Sequence, residues 1–193
     1  MMQTATDEEL IVLVDEHGVA TGTAEKWSSH HEATPLHLAF SCYVFGHDGR
    51  FLTTRRALTK KVWPGVWSNT VCGHPAPGES MPEAIDRRLG YELGMTVHDI
   101  EVALAEHLYR APAFQGIVEY EFCPVYLARA AGEPRPNAVE VDDWAWVDWD
   151  EFVAGALHDD ADAYSWWCKN QLHELVEHPL LERYARPVAG PRG

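Results

Sequence analysis

Residues 73–95, GHPAPGESMPEAIDRRLGYELGM, combine a turn with a full set of helix signals. Ser80 and Glu83 have the spacing of a capping box, in which each side chain bonds to the other residue's backbone N–H. Gly94 is a typical helix stop, because glycine adopts the left-handed conformation without strain. The apolar residues between them follow helical spacing and are Met81, Ile85 and Leu89. The sequence therefore predicts an amphipathic helix over residues 80–93 that must pack against another layer.

Strand patterns lie on both sides of this helix along the chain. Apolar or alternating runs are separated by turn residues, as in GHDG. These runs are LIVLVD, HLAFSCYVF, RFLTTRR, IEVALAEHLYRA, GIVEYEFCPVYLARA and WAWVDW. A second helix is predicted at roughly 164–185. No repeat or linker divides the sequence, so we expect one α/β sandwich domain over residues 1–193, with flexible ends at about 1–8 and 187–193.

The charge of the chain limits its partners. Thirty acidic and fifteen basic residues give a formal net charge of −15. Nucleic acids and anionic membrane surfaces bind clusters of Lys and Arg, so we expect neither as a partner. The first residues, MMQTATDEEL, lack a basic segment followed by an apolar one, and no run approaches the roughly 20 apolar residues of a membrane span. We expect a cytoplasmic protein that acts on a small molecule.

Four dispersed cysteines indicate reduced thiols rather than a disulfide framework. Cys42, Cys123 and Cys168 lie in apolar or aromatic surroundings and are expected to be buried packing residues. Cys72 differs, because His74 follows it two positions later in SNTVCGHPAPGES. In a strand this spacing places both side chains on one face. A packed core, half of a metal site and direct catalysis are all compatible with the pair.

The predicted helix also resembles a family signature. The segment is similar to the Nudix box at Gly73, Glu79, Arg87, Leu89, Glu92, Gly94 and Met95. In Nudix hydrolases this helix gathers carboxylates that hold Mg²⁺ against a diphosphate. Arg88 and Tyr91 stand where two of those glutamates are expected. Loss of two oxygen ligands should severely impair Mg²⁺ binding and therefore hydrolysis. This departure from the Nudix box makes hydrolysis of a diphosphate a weaker hypothesis for the function than a different reaction on the same scaffold.

Four segments in order are similar to type I isopentenyl diphosphate isomerases, which have the Nudix fold. They are TRRALTKKVWPGVW, NTVCGHP, RRLGYELG and GIVEYEFCPVY, and the likeness runs from about Ile11 to Trp167. The resemblance implies a Nudix-type α/β/α sandwich of mixed sheet with flanking helices. It also implies an isomerase that interconverts isopentenyl and dimethylallyl diphosphate through a tertiary carbocation. We expect a monomer or a weak homodimer, and a non-catalytic binding module on this scaffold is the remaining class.

Two metal functions follow from the resemblance. The first site would consist of His30, His37, His74, Glu119 and Glu121. Imidazoles and carboxylates suit Zn²⁺, Mn²⁺ or Mg²⁺, and Glu119 and Glu121 alternate onto one face of a strand. Without the resemblance, a histidine in SSHHE would be read as solvated. The second ion would be an Mg²⁺ that arrives with the diphosphate near Glu92.

The resemblance also implies the catalytic groups. Glu121, assisted by the hydroxyl of Tyr109, would serve one face of the alkene, and the thiol of Cys72 would serve the other. Trp167 would stabilise the cation through its ring face, worth roughly 2 kcal/mol or more when desolvated, with Trp166 as the other candidate. The residues expected to bind the diphosphate are Lys26, Arg56, Lys60 and Arg88. From residue type alone, RRALTKK would be a solvated basic turn and Trp167 a packing residue.

Overall fold

The computed structural model describes residues 9–188. Its strands are β1 Leu10–Val14, β2 Ala20–Glu25, β3 His37–Leu38, β4 Phe40–Phe45, β5 Phe51–Arg56, β6 Trp67–Ser68, β7 Val71–Gly73, β8 Val97–Leu104, β9 Leu108–Arg110, β10 Tyr120–Phe122, β11 Val125–Ala130 and β12 Val141–Val147. Its helices are α1 Lys26–Ser29, α2 Met81–Leu93, α3 Trp149–Leu157, α4 Trp166–Leu175 and α5 Leu181–Tyr184. The ends predicted to be flexible lie outside the described residues, except for Pro187 and Val188.

The described strands form two sheets, and the chain passes between them three times, from β3 to β4, from β8 to β9 and from β10 to β11. One sheet has the order β2-β1-β3-β10-β9, and the other has β12-β5-β4-β11-β8 with β6 beside β5 and β7 beside β4. Both are mixed, because β3 runs parallel to β10 and β4 runs parallel to β11. At Pro124, which has no N–H for a ladder bond, the chain leaves β10 and enters β11 in the second sheet. Its carbonyl accepts a hydrogen bond from Ser41 N at 3.1 Å.

Helix α2 confirms the prediction made from its capping signals. Ser80 N donates to Glu83 Oε2 at 2.9 Å, and the helix ends at Gly94 with φ +56°. A Cβ at Gly94 would lie 3.0 Å from the carbonyl oxygen of Arg135, so a side chain there would crowd this backbone as well as strain the left-handed conformation. Ile85 and Leu89 are fully buried, and burial of side chains this size contributes about 1.5–3 kcal/mol each.

Two apolar layers cover the faces of the second sheet. Phe40 and Val44 of β4 pack in the cluster that contains Ile85 and Leu89 of α2. Tyr43 and Phe45 point into a second cluster, built with residues of α3, α4 and α5 such as Trp149, Leu172 and Tyr184. Because β4 is buried on both faces, its sequence FSCYVF is apolar almost throughout. This arrangement confirms the α/β/α sandwich of mixed sheet.

Several predicted boundaries were wrong for local reasons. The run over residues 116–130 divides into β10 and β11 at Pro124, and the run over residues 100–111 divides into β8 and β9. Asp148 caps α3 by accepting from the backbone N–H groups of Asp150 and Glu151. The strand predicted from WAWVDW therefore ends at Val147, and the last residue of that run, Trp149, begins α3. The predicted C-terminal helix is two helices, α4 and α5. No helix within residues 9–188 has the length and apolar character that crossing a bilayer requires.

Candidate active site

One cavity is lined by residues from both sheets and from α1, α2 and α4. It receives almost every residue that the sequence analysis singled out. The predicted residues that line it are Lys26, His30, Arg56, Lys60, Cys72, His74, Arg88, Glu92, Tyr109, Glu119, Glu121 and Trp167. His37 is fully buried, and its Nε2 lies 3.2 Å from Nε2 of His74. Segments that are distant in sequence therefore meet at a single site.

A cluster of imidazole and carboxylate groups occupies one wall. Potential ligand atoms of His30, His37, His74 and Glu119 all lie within 4.8 Å of one another. Glu121 joins them, because its Oε1 lies 3.3 Å from His74 Nε2. Its strand β10 runs beside β3, which places Glu121 opposite His37 in the register.

The hydrogen bonds of two histidines fix which ring nitrogen is free. His30 Nδ1 lies 2.5 Å from the carbonyl oxygen of Lys26, and His37 Nδ1 lies 2.9 Å from that of Pro35. A carbonyl oxygen can only accept, so both Nδ1 atoms carry hydrogen, and in the neutral rings both Nε2 lone pairs are available, as in metal-binding histidines.

Unpartnered polar atoms in this cluster fit a divalent cation. His30 Nε2 and Glu119 Oε2 are buried without a hydrogen bond, although they lie only 3.3 Å apart. Leaving a buried polar atom unpaired costs about 1–3 kcal/mol, which a bound cation would remove. Burial also lowers the pKa of His74, which favours the neutral, ligating imidazole. The donor set of imidazole nitrogen and carboxylate oxygen therefore suits a divalent metal.

Glu121 is also bound from the other side by Tyr109. The two residues are cross-strand partners on β9 and β10, and the Tyr109 hydroxyl donates to Glu121 Oε2 at 2.5 Å. Burial, together with the charge of Glu121, raises the pKa of Tyr109 well above its ordinary value. The phenol therefore stays protonated and acts as a donor to the carboxylate.

Cys72 lies on β7 of the second sheet, so it reaches the cavity from a different sheet than Glu121. Its Sγ donates to Asn69 Oδ1 at 3.2 Å and lies 3.2 Å from Ser41 Oγ. Burial raises the pKa of Cys72 to about 11, although the hydrogen bonds with Ser41 and Asn69 oppose the increase. The group is a neutral thiol at neutral pH and can donate a proton. Its neighbour His74 lines the same cavity, as the two-residue spacing predicts.

Asn69 links this thiol to Trp167, which with Trp63 forms an aromatic wall of the cavity. Sequence analysis missed this role of Asn69. Its amide nitrogen donates to the carbonyl of Val71 at 2.9 Å, which turns Oδ1 towards the thiol. The same Oδ1 accepts from Trp167 Nε1 at 3.3 Å. Trp167 also meets the ring of Trp63 edge to face, with centroids 5.5 Å apart. Trp166 instead packs against Tyr109 and is not among the lining residues, so the indole that faces the cavity is Trp167.

The four basic residues predicted to bind a diphosphate are paired with acids or carbonyls. Lys26 Nζ lies 2.7 Å from Glu9, Lys60 contacts Glu140, and Arg88 contacts Glu92 at 2.5 Å. Arg56 donates to the carbonyl oxygens of Val62 and Trp63 at 3.0 and 3.1 Å, and its guanidinium lies 5.4 Å from the Trp167 ring. Burial raises the pKa of Glu92, against the lowering effect of Arg88.

Glu79, the first acid of the Nudix-like helix segment, is engaged elsewhere. It accepts from Arg87 Nε and Nη2 at 2.6 and 2.7 Å, and Arg87 also donates to the carbonyl of His74 at 3.0 Å. Arg88 lines the cavity, whereas Tyr91 is 52% exposed and does not line it, although its ring lies 5.4 Å from the Arg88 guanidinium. Among the described residues of α2, the carboxylate that lines the cavity is Glu92.

Comparison with known proteins agrees with this geometry. A family model described as NUDIX domain matches residues 35–167. A protein of Saccharopolyspora erythraea named isopentenyl-diphosphate Delta-isomerase is 53% identical over 169 residues, which cover 88% of this chain and 87% of that protein. One of Agromyces mediolanus with the same name is 52% identical over 184 residues, covering 95% of this chain and 87% of that protein.

A solved structure supports the fold. A crystal structure of a Deinococcus radiodurans protein superposes with a TM-score of 0.66 at 18% identity, covering 86% of this chain and 99% of that one. At this identity the likeness concerns the fold alone. Taken with the close sequence relatives, it leads to one conclusion: the chain belongs to the isopentenyl-diphosphate Delta-isomerase family of NUDIX-domain proteins.

Proposed function

We propose that the protein interconverts isopentenyl diphosphate and dimethylallyl diphosphate. The observation that supports this most is the arrangement of proton-transfer groups. The Cys72 thiol comes from one sheet, the Tyr109-bonded Glu121 carboxylate comes from the other, and both line one cavity. The basic residues of that cavity suit the diphosphate end of the substrate, and the aromatic wall suits its isoprenyl end.

The reaction needs one proton added and one removed. Protonation of the terminal alkene carbon leaves a cation on the adjacent tertiary carbon. Loss of a proton from the methylene group on its other side forms the internal alkene. Glu121, aided by Tyr109, serves one face of the substrate, and Cys72 serves the other. Positioned acid and base groups contribute about 10² to 10⁴ each in rate.

The aromatic wall suits the cationic intermediate. Trp167 is 5% exposed and lines the cavity beside Trp63. An indole face stabilises a cation by about 2 kcal/mol or more when water is excluded, and it offers no atom that would capture the cation covalently. Asn69 fixes Trp167 and the Cys72 thiol relative to each other, so the wall and the proton donor keep one geometry.

Two metal ions complete the proposal. Mn²⁺ or Zn²⁺ would bind His30, His37, His74, Glu119 and Glu121 and would hold these charged and polar groups in a fixed arrangement. Mg²⁺ would accompany the diphosphate near Glu92, where the substrate's phosphate oxygens meet Lys26, Arg56, Lys60 and Arg88. Arg88 would provide charge to the diphosphate where a hydrolytic Nudix box has a metal-binding carboxylate. This substitution is the reason to prefer isomerisation over hydrolysis.

The remaining parts of the proposal concern the whole molecule. We infer one Nudix-fold domain over residues 1–193, a cytoplasmic location, and a monomeric or weakly dimeric state without nucleic-acid or membrane partners. The single sandwich that encloses the cavity supports one domain, and the net charge of −15 supports the absence of anionic partners.

Incubation with isopentenyl diphosphate and Mg²⁺ tests the proposed function. Chromatography should resolve dimethylallyl diphosphate as the product, with no release of phosphate. Formation of free phosphate without the internal alkene would support a hydrolase instead. Neither product, with metal supplied at both sites, would favour a non-catalytic binding module.

A further inference from the structure

An acidic residue without an assigned role lies among the cations of the cavity. The side chain of Glu140 is 13% exposed and lines the cavity. Its Oε2 contacts Lys60 Nζ and lies 3.4 Å from Arg88 Nη2. A carboxylate in a pocket for a diphosphate opposes binding through its charge. Another effect of Glu140 that favours diphosphate binding must therefore offset this repulsion.

The contacts of Glu140 leave donors of both cations available. Among the described residues, Arg88 Nε and Nη2 both donate to Glu92 Oε1, at 3.0 and 2.5 Å. Nη2 also donates to Glu140 Oε2. Arg88 Nη1 makes none of these bonds. Lys60 has three N–H donors, of which one suffices for Glu140. The acids thus hold the two cations while leaving N–H groups for a ligand.

The backbone around Glu140 joins the elements that carry these cations. Asn137 N donates to the carbonyl of Glu92 at the end of α2, at 2.8 Å. Glu140 N donates to the carbonyl of Asn137 at 2.9 Å, and Glu140 O accepts from Ala57 N at 3.0 Å. The turn over residues 137–140 therefore connects α2, which carries Arg88, to the segment after β5, which carries Lys60.

We propose that Glu140 is a positioning residue for diphosphate binding. Its carboxylate holds Lys60 and Arg88 side by side, although they come from different elements, so that both can donate to one diphosphate group. Each long cationic side chain would otherwise lose rotamer freedom when the ligand binds. This preorganisation outweighs the repulsion between Glu140 and the phosphate oxygens. The inference deepens the proposed function and rests on it for the identity of the substrate.

The test compares Glu140→Ala, Glu140→Gln and the control Asp143→Asn, which removes an exposed acid outside the cavity. Calorimetry measures the Kd of inorganic pyrophosphate with Mg²⁺, and assays measure KM and kcat for isopentenyl diphosphate. We expect Glu140→Ala to weaken pyrophosphate binding about tenfold and to raise KM similarly, with kcat changed less than about threefold. Glu140→Gln keeps an oxygen acceptor and should lose about threefold in affinity. Asp143→Asn should match the wild type.

Three results would overturn the inference. Tighter pyrophosphate binding by both Glu140 variants would mean that repulsion dominates. A lower Tm with an unchanged Kd would mean a structural role only. A wild-type protein that does not bind pyrophosphate would mean that these cations do not receive a diphosphate. A protein that binds pyrophosphate with the expected order of variants but does not isomerise the substrate would retain the positioning role and reject the proposed function.

Discussion

Tyr109 and Glu121 lie opposite each other on antiparallel strands, and a hydrogen bond of 2.5 Å joins the phenol to the carboxylate. The histidine cluster meets the other carboxylate oxygen, with His74 Nε2 at 3.3 Å. Glu121 is therefore held between a neutral phenol and the imidazole cluster. This arrangement fixes the orientation of the Glu121 carboxylate in the cavity.

Tyr109→Phe should lower kcat by about tenfold to hundredfold, because a hydrogen bond to a charged group is worth about 1.5–3 kcal/mol. Steady-state assays with isopentenyl diphosphate provide the measurement. The control is Tyr184→Phe, which removes a hydroxyl that donates to Glu101 Oε1 at 2.7 Å in another part of the structure. The control should lose thermal stability and keep kcat. Equal kcat values for Tyr109→Phe and the wild type would reject the assisting role of the phenol.

Cys72→Ala should reduce kcat by about 10² to 10⁴, since it removes one of two opposed proton-transfer groups. Circular dichroism should report a folded protein, because only a thiol is lost. Cys42→Ala is the matched control: Cys42 is fully buried in the cluster with α2 and does not line the cavity. That variant should lose stability but retain turnover. Near wild-type turnover in Cys72→Ala would exclude a two-sided mechanism.

His74→Ala should lose the ion held by the histidine–glutamate cluster, because it removes one of the imidazoles at its centre. Elemental mass spectrometry of the purified protein measures the metal content directly. His31→Ala is the control, since His31 is exposed and its neighbour His30 supplies the predicted ligand. It should keep the metal of the wild type. Full metal occupancy in His74→Ala would remove His74 from the site.

Local signals account for the elements that the sequence predicted well. The capping box at Ser80 and the stop at Gly94 act within a few residues, so α2 could be placed before any tertiary contact was known. Helix α3 was missed because Asp148, its N-cap, lies inside the apolar run WAWVDW, whose strand pattern conceals it. The interruption between α4 and α5 contains Pro179, which cannot donate a hydrogen bond within a helix.

In the candidate site, too, some features could be predicted from local sequence and others depend on tertiary contacts. The four family motifs contain most of the predicted residues that line the cavity, whereas Lys26, His30, Tyr109 and Trp167 lie outside those motifs and were inferred from the wider resemblance. Asn69 lies within such a motif, but its role depends on bonds to both Cys72 and Trp167. Gln171 donates to Ser41 Oγ at 2.9 Å across 130 positions of sequence, and Ser41 in turn contacts the Cys72 thiol. Contacts over such separations have no signature in a local sequence pattern.

Reaction in D₂O should label carbon positions of the substrate, and this prediction separates the reaction classes. A thiol and a carboxylic acid both exchange their proton with water between turnovers. Deuterium delivered to the terminal alkene carbon therefore enters the newly formed methyl group of dimethylallyl diphosphate. Because the reaction is reversible, recovered isopentenyl diphosphate should also gain label. A hydrolase leaves carbon-bound hydrogen unchanged.

Mass spectrometry of the two isolated diphosphates measures the label, and a phosphate assay accompanies it. Cys72→Ala serves as the control protein, since it should incorporate deuterium only as fast as its residual turnover allows. Migration of the double bond without deuterium would indicate internal hydrogen transfer, and it would exclude proton delivery by either Cys72 or Glu121. Deuterium uptake with the diphosphate intact would require proton exchange between substrate carbon and a solvent-equilibrated group, which the thiol and the Tyr109-bonded carboxylate are placed to supply.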